Sequence, residues 1–167
     1  MAMFLTDIVI RGKKAYKYQE LKNIYNFELV DIYMISGVLG FLHNKKDVQD
    51  NDGTLTANIP RTVLERRSKK INFLYEIITL HEELDVDPDR AMQLAFEINS
   101  VEHPVKMYKK ELFDDYALGG IDILYDMLSN VTYDRQVDNI KNILDKYSES
   151  YTVNQKTTND IFEAEGL

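Results

Sequence analysis

Residues 27–43 read FELVDIYMISGVLGFLH, and this stretch decides the fold class. Its apolar residues fall on nearly every face of a helix, which is typical of a helix at the centre of a bundle. Ser36, Gly37 and Gly40 lie on adjacent turns and allow a second helix to approach closely, although each glycine costs up to about 1 kcal/mol of helix propensity. The stretch is shorter than the ~20 residues that cross a bilayer, and it contains two acidic residues. It therefore predicts a buried helix.

Asp31 is the unusual residue of this helix, because it is charged within the most apolar part of the chain. If it faced the core, it would need a hydrogen-bonding or ionic partner, since an unpaired buried charge is very unfavourable. Alternatively, it lies in the first turn, where a negative charge stabilises the start of a helix. The first turn is the preferred interpretation.

Helical periodicity continues on both sides of the central stretch. It predicts helices over 13–24, from Pro60 to about Glu83, from Asp85 or Asp87 to about Ile98, from Val105 to Ser129, and over 133–147. Gly119 and Gly120 interrupt the fourth of these, and one continuous helix is preferred over a break. Residues 4–10 are rich in Ile and Val and predict a short strand. Residues 44–59 are polar, contain the turn signal DNDG at 50–53, and are expected to form a loop.

The predicted fold is mainly α, a single-domain helical bundle of about five to seven helices with a short N-terminal strand. The domain is expected to span residues 1–150, and the polar residues 151–167 are expected to form a mobile tail. A chain of 167 residues can bury a core without disulfides, and this one has no cysteine. The absence of cysteine fits a reducing compartment, and no export signal or membrane span is recognised. The expected location is the cytoplasm.

The net charge of −8 is divided unevenly along the chain. Residues 1–81 carry 12 Lys and Arg against 9 Asp and Glu, whereas residues 82–167 carry 8 against 19. The basic residues of the first half form two groups that predict a surface for nucleic acid or for a protein partner. They are Arg11, Lys13, Lys14, Lys17, Arg61, Arg66, Arg67, Lys69 and Lys70.

Five acidic residues of the second half predict an acidic face on one helix. They are Glu111, Asp114, Asp115, Asp122 and Asp126. Carboxylates one turn apart also bind metals in helical bundles, but the Glu-x-x-His motif of such sites is missing here. A solvated acidic face is the favoured interpretation, and the alternatives are a metal-dependent enzyme or an acidic mimic of nucleic acid formed by residues 82–167.

No motif with a known catalytic mechanism is present in the sequence. Aligning Gly53 with the invariant glycine of a calcium-binding EF-hand places Val48 and Ile59 at positions that require acids. The three histidines lack metal-binding spacing, and phosphate-binding loops and hydrolase elbows are absent. The sequence therefore predicts no catalytic residue, no metal ligand and no cofactor.

The leading hypothesis for function is a non-enzymatic interaction module, meaning a small helical accessory subunit, adaptor or inhibitor that docks on a larger protein or associates with itself. It depends on the missing catalytic motifs, the 11 tyrosines and the uneven charge. The alternative is a nucleic-acid-associated protein that uses the basic groups at 11–17 and 61–70. Its affinity would fall steeply with salt.

Overall fold

A computed structural model describes most of the chain, namely residues 4, 6–49, 53–96, 103–129, 137, 138 and 140–148. The chain divides into two compact units, Met1–Asp126 and Met127–Leu167, and each is considered by itself. Helices dominate the described residues, which confirms the mainly α prediction. The predicted boundary at residue 150 and the predicted tail at 151–167 lie outside the described residues.

The order of elements follows the sequence patterns closely. The elements are β1 (Ile8–Arg11), α1 (Gly12–Tyr25), α2 (Leu29–Leu42), β2 (Thr56–Ile59), α3 (Arg61–Arg66), α4 (Ser68–Leu84), α5 (Pro88–Phe96) and α6 (His103–Ser129). Residues 137, 138 and 140–148 are also helical, and they fall largely within the helix predicted over 133–147. Among the helices of the described residues, no single one is long and apolar enough to cross a membrane.

The short sheet corrects one prediction. β1 is the expected N-terminal strand, but it pairs antiparallel with β2, so that Ile8 lies opposite Ile59 and Ile10 opposite Ala57. The prediction of a loop over residues 44–59 is therefore wrong for its last four residues. Only Ala57 and Ile59 of β2 are buried, and two alternating apolar residues are too few to give a period-two signal.

The helix predicted from Pro60 to about Glu83 is also corrected, because it consists of two helices, α3 and α4. They meet at Arg67, whose φ of −101° and ψ of 5° depart from helical geometry. The backbone N–H of Arg67 still donates to the carbonyl groups of Val63 and Leu64. No glycine or proline marks this position, so helix propensity alone gives no indication of the break.

The core of the first unit is formed where α2 and α6 cross at their glycines. A Cβ atom added to Gly120 would lie 1.8 Å from the carbonyl oxygen of Ser36, and one added to Gly40 would lie 2.0 Å from that of Tyr116. The two backbones are thus in direct contact. α6 continues through Gly119 and Gly120, which confirms the predicted continuous helix. Their low propensity is offset by the close approach that they allow.

Asp31 lies in the first turn of α2, as the preferred interpretation predicts. Its side chain is 36% exposed, and Oδ1 lies 3.9 Å from Nη2 of Arg67. A charge in this position interacts favourably with the N-terminal end of the helix dipole without being buried.

Candidate functional site

Two lysines of the first basic group, Lys14 and Lys17, are bound to carboxylates of the same molecule. Lys14 Nζ lies 2.7 Å from both Asp47 Oδ2 and Asp122 Oδ2. Lys17 Nζ lies 2.9 Å from Asp122 Oδ1, and Lys45 Nζ lies 3.5 Å from Asp122 Oδ2. These five residues, Lys14, Lys17, Lys45, Asp47 and Asp122, are called the lysine–aspartate network below. The network joins three parts of the chain: α1, residues 45–47 after α2, and α6.

The charges of the network stabilise one another. Burial lowers the pKa of Lys14, but hydrogen bonds to Asp122 and Asp47 outweigh burial and the pKa is raised. Burial likewise raises the pKa of Asp122, but Lys14 and Lys17 outweigh it and the pKa is lowered. Hydrogen bonding to Lys14 is the main cause of the lowered pKa of Asp47. The charges of Lys14 and Lys17 are therefore largely neutralised within the protein.

The remaining basic residues are more accessible. Arg67 is partly exposed and its Nη2 lies 3.1 Å from Oε2 of Glu28, so it is paired within the protein. Arg11 and Lys13 are exposed at the junction of β1 and α1. The exposed basic residues of the second group, whose side chains form no ion pair within the described ranges, are Arg61, Arg66, Lys69 and Lys70.

The five acidic residues predicted on α6 have different surroundings. Asp122 belongs to the lysine–aspartate network, and Glu111 and Asp126 are exposed. Asp114 accepts hydrogen bonds from Tyr33 and Lys110, while Asp115 is half-buried. In the part of the chain that the structure describes, no three metal-binding side chains come together. The acids of α6 therefore do not form one uniform surface.

A buried tyrosine cluster surrounds Asp114. The hydroxyl of Tyr33 donates to Asp114 Oδ1 at 2.7 Å and lies 2.9 Å from the hydroxyl of Tyr75. The ring of Phe113 packs against both tyrosine rings. Burial raises the pKa of both tyrosines, so both remain protonated and can donate hydrogen bonds at neutral pH. The sequence pattern gives no indication of this cluster, because its members are distributed over three helices.

α4 presents apolar side chains on two opposite faces. Ile71, Tyr75 and Ile78 face the core and are buried. Phe73 and Ile77, four residues apart and therefore on one side of the helix, remain 60% and 40% exposed. An amphipathic helix of a monomeric domain normally places charged residues there. The second apolar face is the signal in the sequence that could have identified this surface.

The exposed apolar face of α4 borders a groove beside α2. The groove has a volume of about 410 Å³ and is lined by Met34, Lys69, Lys70, Phe73 and Leu74. These five residues define the α2–α4 groove. Its walls are chiefly apolar, while the two lysines are exposed and bring positive charge to it. An open groove of this composition can receive the apolar side of another helix.

Comparisons of this chain with protein families, with curated proteins and with solved structures found no match. The chemistry of its own residues therefore carries the functional argument. Three features of the described surface bear on function: the α2–α4 groove, the exposed basic residues and the pocket beside Asp114.

Proposed function

We propose that this protein is a non-enzymatic interaction module whose α2–α4 groove binds an amphipathic helix of a partner protein. The observation that carries the proposal is the second apolar face of α4, with Phe73 60% exposed beside the groove. Large aromatic residues are enriched among the residues that dominate binding energy at interfaces. In helix-in-groove binding the anchors of the bound helix recur at spacings of three and four residues, and Phe73 and Ile77 on one side of α4 offer apolar contacts to such anchors.

Charge complementarity specifies the kind of partner. Lys69 and Lys70 line the groove, and neither side chain has an ionic partner within the described residues. A bound helix with Glu or Asp beside its apolar stripe would pair with them. The proposed occupant is therefore an acidic amphipathic helix. We also propose that the protein works in the cytoplasm, because a chain without cysteine fits a reducing compartment.

Two designed helical peptides test this specificity directly. Both carry the same leucine stripe, but one has Glu and the other Lys beside it. Fluorescence anisotropy is expected to show about tenfold tighter binding of the Glu peptide at low salt, and a smaller difference as salt screens the charges. Charge reversal in a Lys69→Glu/Lys70→Glu variant is expected to reverse the preference. Equal affinity for both peptides in the native protein would contradict the proposal.

A matched pair of truncations tests the apolar part of the groove. Ile77→Ser removes a side chain that is 40% exposed on the same side of α4 as Phe73, whereas Ile24→Ser removes one that is 41% exposed on α1. We expect the first to weaken binding of the Glu peptide by about tenfold and the second to leave it unchanged, since only one removes an interface anchor. If both variants bind alike, the groove is not the binding surface.

The natural occupant can be identified by photo-crosslinking in cells. A photoreactive amino acid replaces Phe73 in one variant and Ile24 in the other. The proposal expects an adduct with one protein at position 73 that is absent at position 24. An adduct with a second copy of this chain would mean that the groove mediates self-association and does not bind a partner helix. The absence of any adduct at position 73 would contradict docking at the groove.

A nucleic-acid-associated function is the second candidate, favoured by the exposed side chains of Arg61, Arg66, Lys69 and Lys70. Binding of labelled DNA and RNA at about 50 mM and about 200 mM salt discriminates the two functions. Affinity for nucleic acid that falls steeply with salt, and that is lost in the Lys69→Glu/Lys70→Glu variant, would favour this candidate. Acidic mimicry by residues 82–167 includes many residues outside the described ranges and stays a prediction.

A further inference from the structure

The exposed apolar face of α4 continues beyond the α2–α4 groove to the end of the helix. Phe73, Ile77, Leu80 and Leu84 follow one another at spacings of four, three and four residues, which places them on one side of α4. Leu84 is 45% exposed, and Leu80 is half-buried. Helices that pack lengthwise in coiled coils use this alternation of three and four. These four residues are called the apolar seam of α4.

The apolar seam has opposite charges at its two ends. Lys69 and Lys70 are exposed in the first turn of α4, whereas Asp85 and Asp87 are exposed directly after its last residue. Within the part of the chain that the structure describes, none of these four side chains forms an ion pair. Both ends of the seam can therefore pair with charges on a partner.

The charges at both ends are unfavourable for α4 itself. The N-terminal end of a helix carries a partial positive charge and the C-terminal end a partial negative charge, so acids stabilise the first turn and bases the last. α4 has the reverse arrangement, because its first turn contains lysines and no acid, while Asp85 is its C-cap residue. A bound helix with acids at the first end of the seam and bases at the second would offset both effects.

We infer that the partner helix, whose binding at the α2–α4 groove is the function proposed above, runs along the whole apolar seam and parallel to α4. It carries Glu or Asp in its first turn, against Lys69 and Lys70, and Lys or Arg in its last turn, against Asp85. Large apolar residues at alternating spacings of three and four contact the seam.

The parallel direction follows from the order of the charges. A helix with acids first and bases last also stabilises its own two ends. Only in the parallel direction do these acids meet the lysines of α4 while the bases meet Asp85. The dipoles of two adjacent helices alone favour the antiparallel direction, but they amount to about half a charge at each end, whereas the ion pairs involve full charges.

Two helical peptides with the same leucine stripe test the charge order. The first has Glu in its first turns and Lys in its last turns, and the second is the Glu peptide described above. Fluorescence anisotropy with the full chain is expected to show about tenfold tighter binding of the Glu-first, Lys-last peptide, because its lysines attract Asp85 whereas glutamates there are repelled. Equal affinity would overturn this inference and leave the proposed function standing. Failure of both peptides to bind would overturn both.

A nitroxide label at the N-terminus of the Glu-first, Lys-last peptide tests the direction. In NMR spectra of the full chain, the label is expected to broaden the amide signals of Lys69 and Lys70 more than that of Leu84. Broadening concentrated at Leu84 would show antiparallel binding and overturn the inference.

Two pairs of variants locate the far end of the site. Asp85→Asn should abolish the preference for the Glu-first, Lys-last peptide, whereas Asp126→Asn, an exposed acid on α6, should retain it. Leu84→Ser should weaken binding of that peptide by about fivefold, and Ile24→Ser, which removes a similarly exposed side chain on α1, should leave it unchanged. Circular dichroism establishes that each variant is folded. An unchanged preference in folded Asp85→Asn would overturn the inference.

Sedimentation velocity of the native chain distinguishes a partner helix from a second copy. A monomer is expected, because the seam is then available to the partner. A dimer that Leu84→Ser converts to a monomer would mean that a second copy covers the seam, and this result would overturn the inference.

Discussion

The two faces of α2 are packed in opposite ways. Toward α6, Ser36, Gly37 and Gly40 leave no room for side chains, and the backbones of the two helices touch. Toward solvent, α2 carries Met34 and the 41% exposed Ile35, and the α2–α4 groove remains open. One helix thus has a closed contact on one side and an unfilled apolar surface on the other.

This difference separates what holds the fold together from what is available for binding. Small residues at a crossing gain stability from close packing, and any added atom must displace a backbone. Large residues at an open groove contribute less to folding, because they remain partly in water in the unbound protein. Substitutions on the two sides test this separation, and the contact that tolerates least change should give the largest effect.

Gly120→Ala should have the largest effect. Its new Cβ would meet the carbonyl oxygen of Ser36 at 1.8 Å, so α2 and α6 would have to move apart. We expect a loss of about 3 kcal/mol or more in the free energy of unfolding, at the upper end for overpacked cores. Urea denaturation measures it, with exposed Met92→Ala on α5 as the control. A loss below about 1 kcal/mol would show that the crossing is looser than described.

Asp122→Asn should have an intermediate effect, because it removes the charge that joins Lys14 and Lys17 of α1 to α6. The side chain of Lys14 is only 11% exposed, so its charge would lose a strong partner. We expect a loss of about 2 kcal/mol, between the values for surface and fully buried pairs. Denaturation of Asp126→Asn, an exposed acid on the same helix, should change by less than about 0.5 kcal/mol. Equal effects of the two substitutions would refute the network as a stabilising element.

The contribution of Asp122 should disappear in acid. Its pKa in the folded protein lies below the ordinary value of 3.8, and so does that of Asp47. The stabilisation is therefore complete above that value and is lost as the pH falls through the folded pKa. The stability difference between native protein and Asp122→Asn should shrink between about pH 6 and about pH 2. The stabilisation that accompanies the raised pKa of Lys14 is complete below its ordinary value of 10.5 and is lost only as the pH rises through the folded pKa, so it does not change in acid. A difference that stays constant in acid would exclude this pairing.

Phe73→Ser should have the smallest effect on stability. The side chain is 60% exposed, so we expect the free energy of unfolding to change by less than about 1 kcal/mol. The same substitution should weaken binding of the Glu peptide by about tenfold or more. Denaturation and anisotropy on one preparation measure both. A large loss of stability would mean that the open face supports the fold, and the contrast between the two faces of α2 would fail.

The sequence predicted the closed side of α2 better than the open side. Residues 27–43 are apolar on nearly every face, and the small residues Ser36, Gly37 and Gly40 indicate where another helix approaches. Phe73 and Ile77 lie on the side of α4 opposite its core stripe, and the periodicity that predicts the helix follows only the core stripe. The lysine–aspartate network was not predictable, because a local pattern does not reveal that Lys14 and Asp122 meet across 108 positions of sequence. Charge counts along a chain describe neighbours in sequence, whereas ion pairs depend on tertiary packing.

The pairing of β1 with β2 has a consequence for the route of folding. Its strands lie at residues 8–11 and 56–59, so the ladder encloses both α1 and α2. Closing so long a segment carries an entropic penalty before any strand contact forms. The helices can form locally on a much faster timescale. The sheet is therefore expected to complete the N-terminal part late, and pulse-labelling hydrogen exchange should protect amides of α2 before those of Ile8 and Ile10.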